Sequence, residues 1–281
     1  MKGWRFAFSR RWVGYLALVV VFAIACAGLA SWQLARRDEA RTEIQRVETN
    51  WDATPLAVGD ALPALDAFAP SDKWMPVTVS GHYLVDQQLL VRGRPYDGKP
   101  GFEVLVPLRM DDGTIFVVDR GWVPGGNSQD APDAVPAAPA GEVTVVARLK
   151  ASEPTLPGRS APAGQIATIN LPDIASRVNE PTYTGAYGML DSEDPAPATR
   201  PAAVIKPVAD EGPHLSYAFQ WVVFGIMAFV GLGWAVRREF RIHNADDPAE
   251  RERAAARRKK AAAKPLTDAQ IEDELLEQSR R

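Results

Sequence analysis

Apolar and polar positions follow three different rhythms along the chain. Residues 13–31 (VGYLALVVVFAIACAGLAS) form a 19-residue run without a charge. Residues 217–236 (YAFQWVVFGIMAFVGLGWAV) form a second run of 20, whose one strongly polar side chain is Gln220. A helix crosses the hydrocarbon core of a bilayer with about 20 apolar residues, so both runs predict membrane-spanning helices. Trp12, Trp32 and Trp234 fall where an interfacial aromatic belt would lie. Between the runs the period shortens to two. Val143, Val145 and Ala147 alternate with Thr144, Val146 and Arg148, and similar stretches predict half-buried strands over residues 77–84, 88–92, 102–109, 114–123, 142–150, 165–170, 183–190 and 203–206. Asp111-Asp112-Gly113 reads as a hairpin turn, and residues 171–179 as a short helix opening at Pro172-Asp173. Proline-rich stretches at 124–141, 151–164 and 191–201 predict surface loops. The expected fold class is a membrane protein: two transmembrane α-helices flank a mainly antiparallel β domain, a sandwich or an open barrel.

Charge adds an orientation. The 281 residues carry −3 overall, but residues 1–11 carry +4, residues 33–216 carry −9 and residues 237–281 carry +2. Arg10 and Arg11 precede the first run, and Arg237, Arg238 and Arg241 follow the second. Arg36 and Arg37 lie on the other side, but Asp38 and Glu39 adjoin them. The positive-inside rule then puts both termini in the cytoplasm. The expected organisation is a cytoplasmic segment 1–11, helix 12–32, an extracytoplasmic domain 33–216, helix 217–236 and a cytoplasmic tail 237–281. The expected place is a bacterial plasma membrane, or the equivalent compartment of an organelle. Ala25-Cys26-Ala27 resembles a signal-peptide cleavage site, but the apolar run exceeds the roughly 7–15 residues of a signal core. Ala23 also stands where a lipoprotein signal has a large aliphatic residue. Cys26 is therefore expected to be a packing residue in a retained anchor. The acidic central segment disfavours a nucleic-acid partner.

Enzyme signatures are absent: no G-x-S-x-G elbow, phosphate loop, H-E-x-x-H or Rossmann fingerprint occurs. One cysteine excludes a disulfide framework. The domain between the runs has no cysteine and two histidines, His82 and His214, too few for a zinc site of about four ligands. Thiolate copper delivery fails on the same count. One polar group stands out. At 100° per residue, His214, Tyr217, Trp221 and Phe224 share a helix stripe at the mouth of the second span. An imidazole among aromatic faces suits a haem iron ligand; equally, Tyr and Trp belong in the interfacial belt and a His can end a helix. Gln220, on a neighbouring face, is expected to bond to another helix or to backbone. After the first span, Trp32 and Arg36, like Gln33 and Arg37, are neighbours at i, i+4, suited to interfacial anchoring or to anionic groups such as haem propionates. In the β domain, residues 92–101 (RGRPYDGKPG) read as a tight connection between strands. Arg94 and Tyr96 there, with Arg120 and Trp122 at the end of the next hairpin, are candidate partner-binding anchors. A buried tryptophan with a local ion pair is the other reading of that pair.

Taken in order, these pieces resemble the surfeit locus protein 1 family, assembly factors of haem–copper cytochrome oxidase. The resemblance rests on Trp32-Gln33 with Arg36; on Pro76-Val77-Thr78-Val79-Ser80-Gly81-His82-Tyr83; on Arg94-Pro95-Tyr96-Asp97-Gly98 through Val104; on Val118-Asp119-Arg120-Gly121-Trp122-Val123-Pro124; and on His214 through Trp221. It covers roughly residues 12–238. It implies a non-catalytic factor that helps insert haem a, with His214 as the iron ligand. Tyr217, Trp221, Trp32, Gln33 and Arg36 would surround the haem. The implied partners are the oxidase catalytic subunit and haem a synthase, to which the apolar runs add membrane lipids. Without haem, the same architecture would suit a membrane adaptor whose β domain binds a protein, lipid or cell-wall partner. The tail beyond Arg241 reads as an elaboration. Its basic portion, 253–264, suits anionic lipid headgroups, and Thr267 with Gln270 forms a capping box ahead of Ile271 and Leu275.

Overall fold

The structure, a computed structural model, describes residues 3–127 and 131–262. It divides into two compact units, Met1–Arg37 with Gly212–Arg281, and Asp38–Glu211. Helix α1 (Arg10–Asn50) belongs to both. It was expected to end near residue 32 and instead runs 41 residues, about 60 Å at 1.5 Å per residue. No Gly or Pro lies between Gly28 and the helix end at Asn50, and residues 33–50 are rich in the strong helix formers Ala, Arg, Glu and Gln. The helix therefore outlasts the apolar run. Glu43 supports this extension, meeting Arg46 at 3.1 Å and accepting from Trp74 Nε1 at 2.8 Å.

The second unit is one mixed sheet of eight strands. After β1 (Leu56–Ala57) and the short helix α2 (Val58–Ala61) come β2 (Pro76–Tyr83), β3 (Leu89–Tyr96), β4 (Lys99–Arg109), β5 (Ile115–Pro124), β6 (Glu142–Ala151) and β7 (Gln165–Ile166). Helix α3 (Leu171–Val178) and β8 (Ala186–Asp194) complete it. The strand order is β1-β2-β6-β8-β5-β4-β3-β7, and β2 also pairs with β4 through His82↔Arg109 and Tyr83↔Leu108. That extra pairing closes β2-β6-β8-β5-β4 into a ring, so the expected sandwich or open barrel resolves as a partly closed barrel. Gly81 makes the closure possible, because a Cβ there would collide with the Arg109 carbonyl. The long ladders are antiparallel, but β1–β2, β3–β7 and β5–β8 are parallel.

Several predicted boundaries move. β3 and β4 extend to meet at Asp97-Gly98, both with positive φ (49° and 72°), as a two-residue hairpin requires. The strand expected over 165–170 stops at Ile166, because Asn170 turns aside to cap α3, accepting from Asp173 N at 3.1 Å. Residues 203–206 form no strand; the contact there is a single bridge, Trp122↔Ala202. Gly113, at φ 82°, turns the predicted hairpin. Both faces of the sheet are buried. Val77, Val104, Phe116, Val118, Val143 and Val145 fill one core; Leu105, Ile115, Val117 and Tyr187 join α3 and Trp51 in the other. This is why β5 begins as an unbroken Ile-Phe-Val-Val run.

In the first unit, α1 lies antiparallel to α4 (His214–His243), which is followed by α5 (Pro248–Ala262). A Cβ on Gly225 would stand 3.7 Å from that of Cys26, and Arg11 lies 3.9 Å from Glu239. Trp12, Val19, Ala23, Cys26, Ala30 and Gln33 are the more buried positions of α1 over its span, and His214, Ala218, Trp221, Gly225, Ala228 and Leu232 match them on α4. Steps of three, four and once seven make a seam whose middle is of small residues, Ala23, Cys26, Ala30, Ala218, Gly225 and Ala228, the packing open to helices in lipid. Cys26 is a buried free thiol within it. Both helices are long and apolar enough to cross a membrane. Most other apolar side chains of the two apolar runs stay exposed, Leu18 at 67% and Phe219 at 70%, whereas a core helix would bury them. Gln220 is exposed too. The predicted capping box at Thr267 lies outside the described residues.

Candidate functional site

His214 opens α4, and its Nδ1 lies 2.8 Å from Gln33 Oε1 on α1. Pro213 stands at the cap, and its carbonyl accepts from Tyr217 N at 3.1 Å, fixing the first turn. The seam selects which side chains meet. Gln33 and His214 are half-buried against each other, whereas Trp32 is 56% exposed and Arg36 also faces outward. An amide oxygen only accepts, so in this pairing Nδ1 carries the proton, and in the neutral imidazole Nε2 then holds the lone pair. Gly212, at φ 68°, flanks that nitrogen; a Cβ there would lie 3.3 Å from Nε2. Trp221 occupies the next equivalent seam position, its ring edge-on to Phe224 at 5.8 Å. The predicted aromatic stripe thus divides: His214 and Trp221 line the seam, while Tyr217 is 47% exposed. Among the described residues no cluster of three His, Cys, Asp or Glu could hold a metal ion.

The β-domain candidates come together in another manner. Tyr96 stacks on Trp122 at 5.1 Å, Trp122 Nε1 donates to the Arg94 carbonyl at 2.8 Å, and Tyr96 OH donates to the Ala203 carbonyl at 3.2 Å. Gly101 lets the indole lie flat on β4, since a Cβ would strike the Trp122 ring. Arg94 bridges Glu103 at 2.9 Å and Glu153 at 2.5 Å. Arg120 is enclosed: it donates to Glu193 at 2.7 Å and to the Pro136 carbonyl at 3.0 Å, with the Tyr83 ring 5.6 Å away. Tyr83 OH donates to the same glutamate at 2.9 Å. A partner could therefore touch Tyr96 and Trp122 but not Arg120.

The sequence model of the SURF1 family matches residues 20–226. The chain belongs to the SURF1 family. Curated relatives agree. Uncharacterised SURF1-like proteins of Mycobacterium tuberculosis and Mycobacterium bovis are each 35% identical over 244 residues, which is 84% of this chain and 88% of theirs. A SURF1-like protein of Rickettsia bellii is 25% identical over 219 residues, 76% of this chain and 86% of its own. The family is known generally for cytochrome oxidase assembly. The SURF1 match contains Gln33, His214 and the whole β domain; α5 and the end of α4 lie beyond it.

Sequence reasoning missed a second polar group on the α3 side of the sheet. Asp119 is 1% exposed; Oδ1 accepts from Gly121 N at 3.0 Å, while Oδ2 has no hydrogen-bond partner among the described residues. Burial, and then Glu103, push its carboxyl well above the usual carboxylate range. Burial and Asp119 raise the Tyr187 phenol likewise. A lone Asp in an apolar strand was the available signal.

Proposed function

We propose that this SURF1-family chain is a membrane-anchored, non-catalytic assembly factor that holds haem a for the catalytic subunit of haem–copper cytochrome c oxidase. The observation that carries the reading is the His214–Gln33 bond. It fixes the imidazole with the protonated nitrogen turned to α1 and leaves Nε2, beside Gly212, as the donor atom for an iron. Haem a is the cargo, and a single imidazole suits it, because a haem brings its own four equatorial nitrogens. Trp221 offers a flat apolar face below, and Tyr217 and Trp32 stand at the rim. Arg36 supplies a cation for propionates. Haem a synthase is the partner that supplies the cargo.

The two exposed apolar helices anchor the chain in the bacterial plasma membrane. The basic flanks put both termini in the cytoplasm and the β domain outside. His214 then stands at the outer end of its span. The test is a deletion strain in which haem a is quantified per assembled oxidase. The reading expects haem a to fall severalfold, with recovery by the wild-type chain and not by His214→Ala. Normal haem content in the deletion strain would overturn it.

A further inference from the structure

The opposite end of the helix pair holds a feature this function does not use. The first turn of the chain, a 3-10 helix over Gly3–Phe8, folds back onto the end of α4. Gly3 N donates to Asn244 Oδ1 at 2.9 Å, Trp4 stacks on Phe240 at 4.3 Å, and Phe6 meets His243 edge-on at 5.4 Å. Together with α5 these elements enclose a groove of about 820 Å³. Its walls are apolar, formed by Trp4, Phe8, Leu16 and Phe229, and Phe8 is 84% exposed. Its mouth is not. Arg237, Arg241, Arg253 and Arg257 line it, with Glu250 as its one acid. Glu250 is buried and engages Arg257 at 2.6 Å and Arg253 at 3.7 Å, so four arginines face one carboxylate.

We infer that this groove binds an anionic phospholipid, its phosphate among the arginines and its acyl chains along the aromatic wall. The inference rests on the membrane-spanning reading of the two helices. Charge complementarity carries it: a surplus of three positive charges needs an anion, and guanidinium forks match phosphate oxygens bidentately. Position supplies the other half. The arginines start where the apolar run ends at Val236, so a ligand reaching both walls must be amphiphilic. Arg241 and Glu250 come from two helices and Trp4 from the folded-back turn, which makes the site a built pocket rather than a stretch of basic sequence.

The test uses the full-length chain in neutral detergent, with bound lipid counted by native mass spectrometry. Short-chain phosphatidylglycerol, the matching phosphatidylcholine and inorganic phosphate are titrated separately. Phosphatidylglycerol should bind at least tenfold tighter than either other probe. Arg237→Gln/Arg241→Gln removes two of the groove's charges while leaving the Arg253–Glu250 and Arg257–Glu250 ion pairs in place. At about a kilocalorie per arginine it should weaken phosphatidylglycerol roughly thirtyfold, with circular dichroism unchanged. Phe8→Ala, which touches no charge, should weaken it severalfold as well. Arg159→Gln/Arg200→Gln, in the β domain, should leave it unchanged. Equal binding of phosphatidylcholine, or of inorganic phosphate, overturns the inference. So does an equal loss in the control pair. His214→Ala should keep the lipid preference while losing haem, which separates this claim from the assembly reading. Extraction of the chain from membranes by alkali would overturn both the spanning reading and this site.

Discussion

Arg120 and His214 are both polar residues set among apolar ones, and the molecule treats them in opposite ways. Arg120 spends its guanidinium on Glu193 and the Pro136 carbonyl, deep in the barrel, where Tyr83 covers it. Its neighbours are arranged alike: Gly121 admits the Ala202 carbonyl, Gly101 admits Trp122, and Gly81 admits Arg109. Most residues that give the β domain its family resemblance are used in building it, while Tyr96 and Trp122 keep part of a face open. In the helix pair one bond holds His214 from behind, and the aromatic residues beside it, Trp32 and Tyr217, stay on the surface. Structural motifs answer one another internally. The residues proposed to handle haem keep exposed faces instead, Trp32 and Tyr217 above all.

That contrast can be broken most easily in the β domain. Arg120→Ala should cost about 3–5 kcal/mol, because Glu193 would be left charged and buried without its partner; urea unfolding of the full chain checks it. A cost near zero would remove the distinction. Gly101→Ala comes next, at roughly 1–3 kcal/mol, since the added Cβ meets both the Trp122 ring and the Val123 carbonyl. Loss of the near-ultraviolet signal from the displaced indole should accompany it.

Asp119→Asn should act in the other direction. Burial holds the Asp119 carboxyl above its ordinary value of 3.8. The folded chain therefore keeps that proton to higher pH than the unfolded one. Stability from this group is full below 3.8 and is lost as pH rises through the raised value. Asparagine keeps the acceptor for Gly121 N and removes the titration, so the variant should gain about 1 kcal/mol at neutral pH and nothing in acid. Unfolding midpoints measured from pH 3 to pH 7 decide it; a parallel offset at every pH would show that ionisation is not the cause. The smallest stability effect belongs to the helix pair. Trp32→Ala and Arg36→Gln should each change stability by less than about 0.5 kcal/mol while lowering haem occupancy.

Much of this was legible in local sequence. Asp112-Gly113 and the pair Asn170 and Asn179 carry their own turn and cap chemistry, so the hairpin and α3 were found almost to the residue. Strand ends were less legible, because alternation gives a period and not a terminus. The extension of α1 was missed for a related reason: hydropathy marks where lipid would end, whereas helix propensity continues to Asn50. Long-range pairings were the hardest. Gln33 and His214 are 181 residues apart, and each was singled out for a different local neighbour. Only the heptad-like seam, set by small residues at Cys26 and Gly225, brings them face to face. Closure of the barrel by β2–β4 was hidden in Gly81, which reads as a weak strand residue until Arg109 is seen beside it.

The most direct measurement is the visible absorption spectrum of the full-length chain purified from cells that make haem a. The account predicts a haem band in the wild type that disappears in His214→Ala and is weakened in Gln33→Leu, with both variants retaining the wild-type urea unfolding of the β domain. Full haem occupancy in His214→Ala would contradict it.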